Sequence, residues 1–570
     1  MLLNEYIRKR ALAYQGGLTE GGEPAETARL TLIGGDDLVR RQRIREHGIW
    51  YRGSGDELLN FFGRGNVVEH ALEPLYYENK RNYFWSVSST EEDIKRTHSG
   101  QPRNIVDTLV GLIGTPTAKV GTEPKSAVFS PVRGEGDSPL DDTLAGILEE
   151  CGFWETYSTV QLPMTLVEGW GAWKVGWDLA FSDHPFAAYY RAEDVDFVYR
   201  AGKVVGMIFK DWYVGEDPNR RFLVTEFRYL CPRRDPEGAG MVRDLMIETR
   251  AWAVAGGGIG GDETVVPIDV ADVPGFAGMD SDVRISDFDS LLATPCVFYR
   301  DGGDTKDPGR SIFFGKEDLF DDLDQELSQM SNSVRRSTPQ EKWDVEFLER
   351  NPETGMPEMP KAFDRKFMTY VGGKDASGAP MSSEPVQVTQ PNLNFDQYSR
   401  AAVDTLGQIL AGIMSPATMG IGVAAQSTQE SQREKEKVTV STRNHLIDRE
   451  GKILKRVFSD LLCCEEYLRT GRIVEKEYDV SVRFGEFADA TFEEKATVLS
   501  QTLDAGGMSP EMYVDKLYGD SLSDEDRGAE LEYVRKTHDP DQGGMMDAMG
   551  ADPEDPEGAV PPQAMPPEGA

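Results

Sequence analysis

The chain has 570 residues and carries 98 acidic against 61 basic side chains, a formal net charge of −37. That length predicts two to four domains with a sizeable core, and that charge argues against a phosphate-neutralising patch spread over the surface. Five cysteines with no C-x-x-C spacing read as free thiols of a reducing compartment. With no secretory h-region at the N-terminus and no uninterrupted run of 18 apolar residues, they predict a soluble protein made in a cytoplasm, with no membrane partner.

Residues 1–314 mix two patterns. "PRNIVDTLVGLIG" puts Ile105, Val106, Leu109, Val110 and Ile113 on one helical stripe, and "DDTLAGILEECGFWETY" repeats the period, which predicts amphipathic helices. After Gly169 come "WGAWKVGWDLAF", "VDFVYRAGKVVGMIFKDWYV" and "RFLVTEFRYLCP", whose β-branched and aromatic runs broken by Gly and Pro predict antiparallel strands. The fold class expected is therefore α+β.

Residues 315–338 read as one helix. Leu319, Leu323, Leu327, Met330 and Val334 form its apolar stripe, acids crowd its start, and Arg335 and Arg336 sit at its end, where the macrodipole favours cations. Thr338-Pro339 ends it. Residues 339–393 are rich in Pro and Gly with short strand-like runs such as "RKFMTYVGG" and "EPVQVTQ", a small β-containing insertion. Residues 394–413 predict a second helix, with Asn394 and Gln397 as cap and reciprocal partner and with Phe395, Tyr398, Ala402, Leu406, Ile409 and Ile413 as its stripe.

Between Asp404 and Glu430 lie 25 residues without a charge. Residues 414–426 within that stretch read as a loop, flexible at Gly420 and Gly422. Ser427 and Glu430 make a capping box for a long helix over residues 427–466, about 36 residues to Leu462 and hence a rod of roughly 54 Å. Residues 467–537 predict three short helices, starting at Thr491, Ser509-Pro510 and Ser523. Residues 538–570 hold eight acids, no base and much Pro and Gly, a disordered tail.

Catalytic signatures are scarce. Gly256, Gly258 and Gly261 satisfy G-x-G-x-x-G, but strand-like residues flank them on both sides, so a hairpin loop is expected where a dinucleotide site would need a helix. G-x-x-x-x-G-K-[ST], H-E-x-x-H and G-x-S-x-G do not occur. The six histidines are scattered singly, which predicts structural or surface roles. Asp321, Asp322 and Asp324 have the residue types of a Mg²⁺-dependent nuclease; on a helix they are expected to form a solvated face. Trp170, Trp173 and Trp177 predict core packing. No catalytic residue, cofactor or metal is assigned.

The order of these parts resembles the portal protein, or head-to-tail connector, of tailed bacteriophages. "NFDQYSRAAVDTLGQILAGIMSPATMGIGVAAQSTQESQREKEKVTVSTRNHLIDREGKILKRVF" is similar to that family's stem helix, tunnel loop and spine helix; "ATFEEKATVLSQTLDAGGMSPEMYVDKLYGDSLSDEDRGAELEYV" is similar to its crown, and "GWGAWKVGWD" to its wing strands. The resemblance spans about residues 50 to 535. It implies a wing (1–314), first stem helix (315–338), clip (339–393), second stem helix (394–413), tunnel loop (414–426), spine (427–466) and crown (467–537). It also implies a non-enzymatic homo-oligomeric ring, usually of twelve subunits, at one capsid vertex. Double-stranded DNA passes through its channel, and its partners are the terminase large subunit, a head-tail adaptor, and the major capsid and scaffolding proteins. Under that resemblance Leu319, Leu323, Leu327, Arg335, Arg336, Leu406 and Ile409 belong to the stem, and Met414, Ser415, Thr418, Met419, Gly420, Ile421, Gly422, Val423 and Gln426 to a loop facing DNA. A different capsid-associated structural protein, or a metal-dependent nuclease of the packaging module, are the alternatives.

Overall fold

A computed structural model describes residues 28–30, 35–63, 74–86, 95–114, 117–120, 139–178, 182–200, 202–214, 220–234, 241–255, 263–276, 280–300, 308–345, 348–358, 366–370, 386–389, 394–421, 429–485, 499–503, 507–518 and 524–537. The chain divides into two compact units, Met1–Gly485 and Glu486–Ala570. The fold is α+β.

The first unit opens with strand β1 (Ala28–Leu30) and helices α1 (Gly35–Arg52), α2 (Gly55–Phe62) and α3 (Pro74–Lys80), then α4 (Gln101–Ile113) and β2 (Thr117–Val120). In α4 the expected stripe is buried at Ile105, Val106, Leu109 and Ile113. "DDTLAGILEECGFWETY" does not make one helix: α5 (Pro139–Glu150) stops where Gly152 takes the left-handed φ of 59°. The chain restarts as α6 (Phe153–Thr156), passes through one π turn (Tyr157–Gln161) and continues as α7 (Leu162–Glu168).

Strands β3 (Gly171–Gly176) and β4 (Phe186–Arg191) follow, then β5 (Val195–Arg200), β6 (Lys203–Val214), β7 (Arg220–Arg234), β8 (Met241–Ala255), β9 (Glu263–Ile268), β10 (Asp282–Ile285) and β11 (Ala293–Cys296). The large sheet runs β1-β9-β8-β7-β6-β5, with β10 also paired to β8, and every pairing in it is antiparallel. Ala255 opposite Thr264 makes β8 and β9 the two arms of a hairpin, as expected around the glycine motif, which itself lies outside the described residues. A second sheet, β11-β3-β4, packs under the long helix. There Trp173 and Trp170 are core residues and Trp177 lies against Tyr467, as expected of packing tryptophans.

Then come α8 (Glu317–Arg336), a small sheet of β12 (Gln340–Asp344), β13 (Lys366–Tyr370) and β14 (Val386–Thr389), α9 (Phe395–Leu410), a 3₁₀ turn (Pro416–Met419), and α10 (Gln429–Thr470), 42 residues and so about 63 Å long. In the small sheet β12 pairs parallel with β13 and antiparallel with β14. Asn394 precedes α9 but makes no side-chain cap, and Ser427 lies outside the described residues. The main core joins α1 to α7, the β11-β3-β4 sheet and α10; Trp50, Phe153, Trp173, Phe313, Ile409, Leu454 and Phe458 are among its fully covered side chains.

The expected helical block over 467–537 does not begin at 467: residues 467–470 are the last turn of α10, and 471–485 contain no helix. After α10 the chain forms β15 (Val480–Arg483), which pairs antiparallel with β2 from Val480↔Val120 to Arg483↔Thr117. The alternation of Val480, Val482 and Phe484 carries that strand. The second unit has α11 (Pro510–Tyr518) and α12 (Asp524–Thr537), which enclose Leu503, Val514 and Val534; both start where Ser509-Pro510 and Ser523 predict. The expected start at Thr491 and the expected tail at 538–570 lie outside the described residues.

Candidate functional site: the paired helices and the uncharged turn

Helices α8 and α9 pack as an antiparallel pair. Thr405 Oγ1 donates to Glu326 Oε1 at 3.2 Å in mid-helix. At the end, Lys316 Nζ, just ahead of α8, donates to the carbonyls of Gln408 (3.2 Å) and Ala411 (3.0 Å). Those oxygens end α9 without backbone partners of their own, and an ammonium there also meets the negative end of the dipole. Of the residues expected in this pair, Leu323 and Ile409 are buried, and Leu319, Leu327 and Leu406 are half-buried against the core. Arg335 is exposed, Val334 is 48% exposed, and the side chain of Arg336 lies outside the described residues.

Asp321 and Asp324 are buried, which corrects the expectation of a solvated acidic face at those two positions; Asp322 is exposed, as expected. Asp321 accepts the backbone N–H of Phe84 (2.7 Å) and Trp85 (3.4 Å). Asp324, wholly buried, takes Trp85 Nε1 (3.0 Å), His98 Nδ1 (2.6 Å) and the Ser99 N–H (2.8 Å). Ser328 Oγ takes the Thr97 N–H at 2.9 Å, and Asp318 accepts the Tyr83 hydroxyl. Asp321 and Asp324 stay inside because they answer donors on Phe84, Trp85, His98 and Ser99 that would otherwise be buried unpaired, whereas Asp318 is exposed. Burial pushes the Asp321 carboxyl up to about 7, against the pull of its two backbone donors. The spacing of 318, 321, 324 and 328 was the available signal; only the partner segment, far away in sequence, was missing. His47 on Glu317 (2.8 Å), His184 on Glu465 (3.0 Å) and His445 on the Phe298 carbonyl (3.2 Å) have structural partners as well; His70 and His538 lie outside the described residues.

The turn after α9 begins earlier than the expected position 414. Helix α9 stops at Leu410, and Gly412 turns left-handed at φ 78°, a conformation glycine adopts without the Cβ clash. Ile413 and Met414 turn back onto the Leu410 carbonyl (2.9 and 3.1 Å) and are buried. Ser415 caps the 3₁₀ turn by accepting the Ala417 N–H. Thr439 on α10, fully buried, then fastens the turn: its Oγ1 accepts the Ser415 N–H at 2.9 Å and shares a hydrogen bond with Thr418 Oγ1 at 2.7 Å. Met419 Sδ accepts the Thr108 hydroxyl of α4 at 3.5 Å, and the Ile421 N–H closes on the Pro416 carbonyl at 3.0 Å. Met414 and Ser415 are thus anchors inside the chain, and Thr418, Met419 and Ile421 are half-buried. The surface offered to solvent is Ala411, Gly412, Pro416 and Gly420. Gly422, Val423 and Gln426 lie outside the described residues.

Farther along α10, Arg443 holds α4 through the Leu112 carbonyl at 2.6 Å. Glu450 is fully buried: Gln161 Nε2 of the π turn donates to its Oε2 at 3.2 Å, and burial pushes the carboxyl up to about 8. Its Oε1 has no protein partner, nor do Tyr157 Oη, Gln161 Oε1, Trp173 Nε1 and Thr294 Oγ1. Trp173 and Thr294 face each other across β3 and β11, so these atoms gather where that sheet meets α10 and the π turn.

No helix among the described residues is long and apolar enough to cross a membrane. No protein-family model matches the chain, and no curated protein does. Among solved structures, a chain from the virion of a native gene transfer agent (GTA) particle is 11% identical at a TM-score of 0.32; the match covers 92% of this chain and 98% of that one.

Proposed function

We propose that this chain is the subunit of a portal ring of twelve copies around one capsid vertex, through which double-stranded DNA enters and leaves. The supporting observation is one continuous stretch: an antiparallel helix pair closed at one end by a three-stranded sheet, then an uncharged anchored turn, then a 42-residue helix. In this reading α8 and α9 form the stem, the sheet the clip, and α10 the spine. The exposed positions Pro416 and Gly420 of the turn face the duplex. Duplex DNA carries about one negative charge per 1.7 Å, so cations on that rim would hold it by counterion release; an uncharged rim lets it slide. The chain itself catalyses nothing, and it docks the terminase large subunit, a head-tail adaptor, and capsid and scaffolding proteins. It resides in the virion and assembles in the host cytoplasm.

Native mass measurement with images of the purified protein tests this. The expected result is a closed ring with a central hole. A monodisperse monomer at micromolar concentration, unchanged by salt, would overturn the reading; a capsid-associated protein of another kind gives oligomers without a hole.

A further inference from the structure

Where β3 and β11 meet α10, five polar atoms end without a protein partner although their residues are only 0 to 3% exposed: Tyr157 Oη and Gln161 Oε1 of the π turn, Trp173 Nε1 of β3, Thr294 Oγ1 of β11 and Glu450 Oε1 of α10. A buried donor or acceptor left unmade is costly, so native proteins pair such atoms with protein or with water.

The five belong to one place. Gln161 Nε2 donates to the other Glu450 oxygen at 3.2 Å, and Tyr157 stands one turn before Gln161. Trp173 and Thr294 are cross-strand partners on one face of the β11-β3-β4 sheet, and Cys296 shares that face two residues on. Two observations join these halves. The Phe153 ring stacks on Trp173 at 4.6 Å and on Tyr157 at 6.4 Å. The Cys296 thiol and the Tyr157 hydroxyl are both pushed up, by burial first and then by the Glu450 carboxyl.

We propose that these atoms enclose ordered water, an internal hydration site that joins the π turn, the sheet and α10. Unpaired though clustered, they stand beyond hydrogen-bond reach of one another, the separation that a bridging water spans. The donor set selects the occupant. Trp173 Nε1 only donates, which disfavours a cation, and Gln161 Oε1 only accepts, which disfavours an anion. The hydroxyls of Tyr157 and Thr294 serve either way, and burial keeps the Glu450 carboxyl neutral below about 8. A small neutral molecule that both donates and accepts answers all of them. One water makes at most about four hydrogen bonds, so these atoms require at least a pair of waters. The site lies within one chain and stands independently of the ring reading.

A density map of the full-length wild type, at a resolution that shows ordered water, tests this together with thermal melts of wild type and Thr294→Val. Peaks are expected within hydrogen-bond distance of Glu450 Oε1, Trp173 Nε1 and Thr294 Oγ1, unchanged when potassium in the buffer is exchanged for thallium. Thr294→Val keeps the side-chain shape but takes a partner from the water, so its melting temperature is expected to fall by about 2 °C; in a dry site the same change removes an unpaired hydroxyl and the temperature rises. A map without peaks there overturns the proposal, as does a peak that takes up thallium, or Thr294→Val melting at or above wild type. Should the variant fail to fold, the wild-type map decides alone.

Discussion

Glu450 shows how one proton can enter the balance of a long helix. Its carboxyl is pushed up by burial, from 4.5 to about 8, despite the Gln161 hydrogen bond. Folding therefore favours the protonated acid. The stabilisation is fully present below pH 4.5, the unfolded value, and is lost as pH rises through about 8. Glu450→Gln keeps an acceptor for Gln161 and places an amide where Tyr157 Oη and Gln161 Oε1 lack protein partners. The expected outcome is a variant more stable than wild type at pH 9, by on the order of 2 kcal/mol, with little difference at pH 5. Thermal melts at both pH values check this; an equal offset at both would remove ionisation as the cause.

Among elements, the turn after α9 depends most on one side chain. Thr439→Val keeps the shape but takes away the acceptor of the Ser415 N–H and the partner of the Thr418 hydroxyl, leaving a buried donor unpaired at a cost of about 1–3 kcal/mol. Hydrogen exchange at residues 413–421 should then quicken about tenfold or more while the middle of α10 is unchanged; equal protection in the variant would mean the turn is held otherwise. Elements carried by their own period were legible in the sequence: α4, α8, α9, the strands β3, β5, β6 and β7, and α10. Those decided by distant partners were not. β2 and β15 are four residues each and exist through each other, and Asp321 and Asp324 of α8 look solvated until Phe84, Trp85, His98 and Ser99 are laid on them. Gly152, mid-pattern, hid the break between α5 and α6 because its effect lies in its φ. The half-burial of Leu319, Leu327 and Leu406 was legible as a stripe; Thr439, which anchors the turn, carries no sign of that role in sequence.

For the whole molecule, the division after Gly485 gives each unit its own apolar centre, the large one around Trp50, Trp173 and Phe458 and the small one of Leu503, Val514 and Val534. A chain ending at Gly485 should therefore fold, with near-wild-type melting of the remaining part; an insoluble or unfolded product would show that the small unit is required. Within the large unit, α8 is attached differently on its two sides. Toward residues 83–99 it is tied by directional hydrogen bonds at four successive positions, and toward α9 largely by leucine side chains. Sliding α8 by one helical turn, about 5.4 Å, would strand the buried carboxylates of Asp321 and Asp324 on the first side, while on the second it would exchange apolar neighbours and break only the Thr405–Glu326 hydrogen bond and the Lys316 contacts. The helix is thus held more tightly to the N-terminal segment than to its neighbour, so an axial slip costs least between α8 and α9.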